Sequence, residues 1–500
     1  MAERVTRQYG EPMTEKFDSR NPATGDVVGT FPVHAAEDVN AAVERARGAA
    51  TWWRELGYAG RRARLRAWRT RLVQRIDDLA DLVHRENGKP VGDAVSEVVL
   101  AAEHLSWAAA NAARVLGRRR VAPGMLAMNQ TASTTYVPYG VIGVIGPWNY
   151  PVHTPLGSIS YALAAGNAVV FKPSEYTPAV GAWLAESFAS VVPEQPVFQL
   201  VTGFGDTGAA LCRAGVEKLA FTGSAATGKK IMASCADTLT PVLIEGGGKD
   251  ALIVAEDADL DAAVDATVWG GMSNAGQTCA GVERVYVVSS VYEDFVARVT
   301  RAARLIHGGT HYGPMTMPAQ IDVVRRHIDD ALARGGRALV GGPDSVQPPY
   351  VQPVVLVDVP EDSAAVQEET FGPTLTITRV RHVDEAIERA NASAYGLGGA
   401  VFSAKQGEQI AARLSCGMVS INSALTYAAV PGLPWGGLRN SGFGRIHGPD
   451  GLREFAWPRA VTHQRFAPTI RALTFRRTPR DVARLKRVVK ARWGHEQRRS

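Results

Sequence analysis

The sequence predicts an α/β protein with two parallel-sheet regions and a small β-rich arm, and three observations predict it. Between about residues 140 and 270, short β-prone runs alternate with helical stretches at the spacing of a parallel sheet. A second alternation begins at residue 251. Two further β-prone pieces, around 119–137 and at FAWPRAVTHQRF, have no partner nearby in sequence.

In order along the chain, the first hundred residues read as mostly helical, with amphipathic runs at VNAAVERARGAATWW and RARLRAWRTRLVQRIDDLADLVHRE. The first alternation runs VIGVIG, a helix to Ala165, NAVVFK, a helix around AVGAWLAESFASV, VFQLVT, a helix from Asp206, EKLAFTG, a helix from Ser224, and TPVLIEGGG. The second runs from ALIVA through VERVYVV, ALVGG, YVQPVVLVDV and TLTITRV to GAVFS. No internal repeat or low-complexity linker interrupts either.

Composition excludes several classes. With 46 % hydrophobic and 21 % charged residues, 500 residues suffice for two or three domains, and disorder is excluded. The net charge of +6 is local: residues 471–500 hold eleven Lys/Arg against Asp481 and Glu496, so the rest of the chain is slightly acidic. A basic nucleic-acid-binding body is therefore excluded. Four scattered cysteines without a CxxC pair suggest neither a disulfide framework nor a metal site. The N-terminal MAERVTRQYGEPMTEKF has no apolar core, and no segment reaches the roughly 18 apolar residues of a membrane span. A cytoplasmic protein is expected.

Three glycine-rich signals bear on ligand binding. GFGDTG at 203–208 matches a dinucleotide fingerprint literally, but no acidic residue closes a strand about twenty residues on, so it reads first as a strand-to-helix turn. In FTGSAATG a strand ends at Gly223, and Ser224 caps a helix whose free amides suit a pyrophosphate; a plain capped helix is the alternative. In FKPSE, Lys172 and Glu175 follow the strand NAVVFK, where ligands of open α/β sheets bind. They suit a ribose diol, and a carboxylate there favours NAD over NADP; a surface ion pair is the alternative.

The chemistry centres on SNAGQTCAGVERV. Cys279 lies in a loop without bulky neighbours, and its own amide can donate to an oxyanion. Asn149, braced by Pro147 and Pro151 in GPWNYP, is the candidate second donor, although the motif alone reads equally well as a rigid turn. Glu245 in LIEGGGKD ends a β-run before three glycines, and in a partly dry cleft its carboxylate can act as a general base on water.

GPWNYP, AAGNAVVFKPSE, FTGSAATG, IEGGGKD, GQTC, EETFGP, NASAYGLGGAVFS and PWGGLRNSGFGR, in this order over roughly 20–465, together resemble the NAD(P)-dependent aldehyde dehydrogenase superfamily. The resemblance implies a Rossmann-type NAD-binding domain over 1–118 and 138–246 and a catalytic domain over 247–445. It also implies an oligomerisation arm over 119–137 and 446–466, followed by a basic extension over 467–500. By the same resemblance Cys279 is the nucleophile, Glu245 the general base and Asn149 the oxyanion amide. Trp148, Lys172, Glu175, Gly223, Ser224, Glu369 and Phe371 bind the cofactor, NAD with NADP as the alternative. The activity implied is oxidation of an aldehyde to the acid through a thioester, by a homodimer or homotetramer. A CoA-acylating enzyme and a non-catalytic structural member are the alternatives.

Departures from the family pattern carry further expectations. Gly246 stands where the family usually has leucine, which would loosen the loop behind Glu245. Thr154 and Gly157 suggest a wide tunnel for a long or bulky apolar aldehyde. No arginine flanks Cys279 to attract an anionic substrate. In the extension, Thr478 and Pro479 begin a helix with Val482, Leu485 and Val489 on one face among Arg and Lys. Such a helix can lie on an anionic membrane surface or remain a solvated or subunit-packing tail.

Overall fold

The computed structural model describes residues 15–494; the N-terminal stretch 1–14 and the last six residues of the basic tail lie outside the described residues. The chain forms two compact units, Met1–Val115 with Pro138–Phe455, and Leu116–Val137 with Ala456–Ser500.

The larger unit contains two sheets. The first has six strands in the order Gly442–Phe443, Val242–Glu245, Lys218–Thr222, Val141–Ile145, Ala168–Lys172, Phe198–Leu200. All neighbours are parallel except the antiparallel edge strand Gly442–Phe443. Helices cover such sheets on both faces, which is why AVVFK is buried at every position. The chain starts at Val141–Ile145, moves outward through Ala168–Lys172 to Phe198–Leu200, then returns to the other side with Lys218–Thr222. Strand order therefore reverses between Ile145 and Thr222, and the carboxyl ends at such a switch point leave a crevice for a ligand.

Helices Ala36–Glu55 and Gly57–Gln74 pack on this sheet through fully buried Trp53 and Trp68, which donate Nε1–H to Leu163 O at 2.9 Å and to Ser187 Oγ at 2.9 Å. The helical reading of the first hundred residues missed an antiparallel hairpin, Lys16–Arg20 with Val27–Pro32. These strands are short and largely solvent-facing, so they carry no clean alternation.

The second sheet has seven strands in the order Arg337–Val340, Val354–Val357, Thr374–Val380, Val282–Val288, Asp250–Val254, Gly398–Phe402, Met418–Ile421. Its interior strands are parallel and almost entirely buried. Only residues 246–249 separate the last parallel strand of the first sheet from Asp250, the first residue of the second.

In the smaller unit, Ala456–Gln464, Gln130–Pro138 and Arg119–Val121 form one three-stranded sheet in that order. The pieces without a sequence-local partner are thus each other's partners. The outer strand Ala456–Gln464 is exposed at most positions. The helix Pro479–Trp493 begins as expected, with a capping box between Thr478 and Asp481, and none of its residues is buried. Among the described residues no helix is long and apolar enough to cross a membrane.

Candidate active site

Glu245 is the last residue of Val242–Glu245 and is held from both sides of the strand. It pairs with Thr222 on one side and with Gly442 on the other. Its carbonyl accepts from Gly223 N at 3.0 Å, and Gly246 N donates to Ser441 O at 3.0 Å. The loop behind Glu245 is therefore not loosened by Gly246. A Cβ at 246 would come within 2.5 Å of Asn440 O, so glycine is required by the close approach of 440–441. Next to it, a Cβ on Gly247 would overlap the Glu369 carboxylate, whose Oε1 accepts from Gly248 N at 3.1 Å. The glycine run makes room for backbone on one side and a second acid on the other.

The Glu245 side chain is 2 % exposed, and neither carboxylate oxygen has a hydrogen-bond partner among the described residues. Burial raises its pKa, while the polar hydrogens of Cys279, Thr222 and Trp435 pull the other way.

Cys279 lies at the end of the loop between helix Leu260–Met272 and strand Val282–Val288. Asn274 and Ala275 are left-handed there, with φ of 51° and 57°, an uncommon conformation held by side-chain amides. Asn274 Nδ2 donates to Asn149 O at 3.1 Å, Gln277 Nε2 donates to Asn274 O at 2.9 Å, and Gln277 Oε1 accepts from Thr316 N at 2.8 Å. The Cys279 thiol is pushed well above the usual range, first by burial and then by Glu245, Glu369 and Asp250. The raised pKa favours the protonated form, so a base would have to take the proton for the sulfur to act as a nucleophile. Glu245 is the carboxylate beside it.

Asn149 spends one Nδ2 hydrogen on Gln277 O at 3.0 Å, which leaves the other for a developing oxyanion. Its loop is fixed by residues that the sequence reading did not single out. Fully buried Lys89 donates to Asn149 O at 2.8 Å and to Glu97 at 2.6 Å, and its ammonium lies 4.0 Å from the centre of the Tyr150 ring. Glu97 also accepts from Val152 N at 2.7 Å and His153 N at 3.0 Å, and Asn87 donates to Trp148 O at 3.0 Å. The available signal was Glu97 on the apolar face of an otherwise periodic helix, eight residues after a lysine.

A cavity of about 650 Å³ opens at the switch point between Ile145 and Thr222. Of the ten residues singled out from sequence, nine line it: Trp148, Asn149, Lys172, Glu175, Gly223, Ser224, Cys279, Glu369 and Phe371. Glu245 is enclosed beside Cys279 instead. The GFGDTG segment does more than turn the chain, because Phe204, Gly205, Asp206 and Gly208 also line the cavity. Phe371, with φ of 51°, is presented by buried Glu283, which accepts from Thr370 N at 2.9 Å and Phe371 N at 3.0 Å and pairs with Lys249 at 2.5 Å. Glu369 is pushed up to about 8 by burial.

This donor set suits a dinucleotide. Ser224 Oγ accepts from Thr227 N at 3.3 Å, and the amides of the helix start face the cavity as an anion site. Lys172 is buried with, among the described residues, a single protein acceptor, Pro173 O at 3.1 Å, which leaves ammonium hydrogens suited to ribose oxygens beside Glu175.

The profile of the Aldehyde dehydrogenase family matches residues 9–461. A 4,4'-diapolycopene aldehyde oxidase of Methylomonas sp is 37 % identical over 448 residues, covering 88 % of this chain and 84 % of that protein. The crystal structure of a succinate-semialdehyde dehydrogenase from Burkholderia pseudomallei superposes with a TM-score of 0.85 at 32 % identity, covering 90 % of this chain and 95 % of that one. An NADP-dependent enzyme from Escherichia coli superposes equally well, with a TM-score of 0.85 at 32 % identity and coverage of 90 % and 95 %.

If the loop behind Glu245 were loose, Gly246→Ala would stabilise the protein slightly by stiffening the unfolded chain. The approach of Asn440 O predicts the opposite, a loss of about 1–3 kcal/mol in urea unfolding, and a neutral or stabilising result would refute the close fit.

Proposed function

Because the chain belongs to the aldehyde dehydrogenase family and oxidises aldehydes with NAD(P), we propose that it converts an apolar or bulky aldehyde to the carboxylic acid with Cys279, Glu245 and Asn149 as the reacting machinery. The observation that carries this reading is the enclosure of the Cys279 thiol against the Glu245 carboxyl, with the Asn149 amide beside them.

Glu245 takes the thiol proton as sulfur adds to the aldehyde carbon. The resulting alkoxide accepts hydrogen bonds from Asn149 Nδ2–H and the Cys279 amide. A nicotinamide bound in the cavity supplies the acceptor for the substrate hydride. Glu245 then passes the thiol proton to solvent, and as a carboxylate it removes a proton from the water that attacks the thioester left on Cys279. It returns that proton to the leaving Cys279 sulfur, so the acid departs as the thiol is restored. Trp148 and Phe371, packed edge-to-face at 5.5 Å, form an aromatic wall of the cavity.

Electrostatics supports an uncharged substrate. The strongest charge effects on Cys279 come from Glu245, Glu369 and Asp250, an environment that repels a substrate carboxylate. The relative named a 4,4'-diapolycopene aldehyde oxidase supports this reading, and the one named a succinate-semialdehyde dehydrogenase favours a carboxylate-bearing substrate instead. The breadth expected from Gly157 is not part of this support, since a Cβ there would meet His447 Nε2 at 2.8 Å and Ile446 at 3.2 Å; the missing side chain is replaced by packing. For the cofactor, we take Glu175 on the cavity wall to favour a free ribose hydroxyl, hence NAD. In the smaller unit the exposed edge strand Ala456–Gln464 suits pairing with a second copy, and the basic helix Pro479–Trp493 suits an anionic membrane where apolar aldehydes dissolve.

With NAD and a panel of aldehydes, kcat/KM should rise with apolar size and be lost in Cys279→Ser, and added CoA should not speed turnover. A preference for a carboxylate-bearing semialdehyde of equal length would overturn the substrate class. Glu245→Gln should give at most one reduced cofactor per chain in a burst, followed by turnover slowed by about 10²–10⁴. Since turnover needs ionised Glu245, wild-type kcat should rise with pH through a midpoint above the ordinary carboxylate range, a limb absent from the variant.

Glu175→Ser should shift the NADP/NAD ratio of kcat/KM upward by at least about tenfold, as expected when a like charge is removed from beside a phosphate; an unchanged ratio would remove Glu175 from cofactor selection. Sedimentation with anionic vesicles tests the smaller unit. The full chain should sediment alone as a dimer or tetramer and move with the vesicles, whereas a chain ending at Phe466 should keep its assembly and lose the vesicles. A monomer, or vesicle binding that survives truncation, would refute the corresponding assignment.

A further inference from the structure

Three histidines from distant parts of the chain converge behind the reaction centre. His104 lies within helix Val91–Leu116, His153 opens helix His153–Ala165, and His447 precedes helix Gly448–Glu454. One ring nitrogen from each lies within 4.8 Å of the others. His104 and His447 are 1 % and 2 % exposed. Spacings of 49 and 294 residues carry no metal-motif signature, so sequence reading assigned no metal.

Three features distinguish this cluster from a packed set of aromatic rings. Nδ1 of His104, Nδ1 of His153 and Nε2 of His447 are buried without a hydrogen-bond partner among the described residues, a costly arrangement for three polar atoms at one place. His104 Nε2 lies 2.9 Å from Ala428 O, so that nitrogen carries the proton and leaves Nδ1 as a lone-pair donor, the outer-shell arrangement that orients histidine ligands. His447 is held with φ of 63°, and the missing Cβ of Gly157 leaves the space its Nε2 occupies. Burial disfavours the charged form of all three rings.

We infer that His104, His153 and His447 form a binding site for one divalent transition-metal ion, with three imidazole donors and a fourth position left to water or a ligand oxygen. An all-imidazole set selects zinc, copper, nickel or iron over magnesium and calcium, which take oxygen ligands. Tetrahedral bonds of about 2.0–2.1 Å require nitrogens roughly 3.3 Å apart. Binding therefore draws together nitrogens that now lie within 4.8 Å of one another by turning the rings, because the His104 and His447 ring centroids are already 3.7 Å apart. The site adjoins the reaction centre without belonging to the Cys279 machinery. The Trp435 ring lies 6.3 Å from His447, and the same side chain is near enough to Glu245 to pull its pKa down.

The test uses the full, tag-free chain stripped with chelator and titrated with Zn²⁺ by calorimetry and with Co²⁺ by visible absorption. One ion per chain with micromolar or tighter affinity is expected, together with the visible bands of low-coordinate Co²⁺. His104→Gln and His447→Gln should each weaken binding at least about a hundredfold, no less than the loss of an outer-shell partner costs, and Cys279→Ser should leave it unchanged. If either variant fails to fold by circular dichroism, His153→Gln replaces it. Absence of stoichiometric binding to the wild type, equal affinity in the folded histidine variants, or loss of binding in Cys279→Ser would each overturn the site.

Discussion

The reaction centre depends on a four-residue crossing between two sheets. Glu245 ends a strand of the nucleotide sheet, and Asp250 begins a strand of the next, with only Gly246, Gly247, Gly248 and Lys249 between. Side chains at 246 and 247 would strike Asn440 O and the Glu369 carboxylate. Their absence lets the 440–441 backbone and a second acid pack against the crossing. That close packing brings a carboxyl from one sheet against a thiol that precedes a strand of the other.

The same crowding sets the electrostatics. Glu245, Glu369, Asp250 and Cys279 are acids crowded together, with Glu369 and Cys279 on the cavity wall, and burial raises each of them. Burial thus works against ionisation of each, most clearly for the Cys279 thiol. The cations nearby are already committed: Lys89 to Glu97 and Lys249 to Glu283, both pairs nearly inaccessible to water. Such pairs add little net stability, but breaking one leaves a buried charge at a cost of about 3–5 kcal/mol. Here they act on geometry, fixing the loop of Asn149 in one case and that of Phe371 in the other.

Much of this was legible in the chain. The alternation of apolar runs with helical stretches gave the parallel sheets, because strands buried on both faces must be continuously apolar. Cys279, Asn149 and the residues of FKPSE and FTGS stood out because nucleophiles, amide donors and anion-binding helix starts need particular residue types at strand and helix ends. Lys89 and Glu97 did not stand out, since a charge in a helix normally faces water and only packing reveals that these do not. The hairpin at 16–32 was missed for want of periodicity, and GFGDTG makes the expected strand-to-helix turn while also lining the cavity, which only the fold reveals.

By itself the sequence determined the α/β class and marked the candidate reactive groups and the residues of a crevice suited to a cofactor, because these follow from local periodicity and from chemistry carried by single residues. Only the tertiary structure decided what the glycines were for. Gly246 reads in sequence as freedom but is a tight fit in space, and Gly157 reads as an opening but is filled by His447. The tertiary structure alone also joined the two arm strands and brought together His104, His153 and His447. Contacts between residues hundreds of positions apart leave no trace in spacing; they exist only once hydrophobic burial has fixed how the helices and sheets pack.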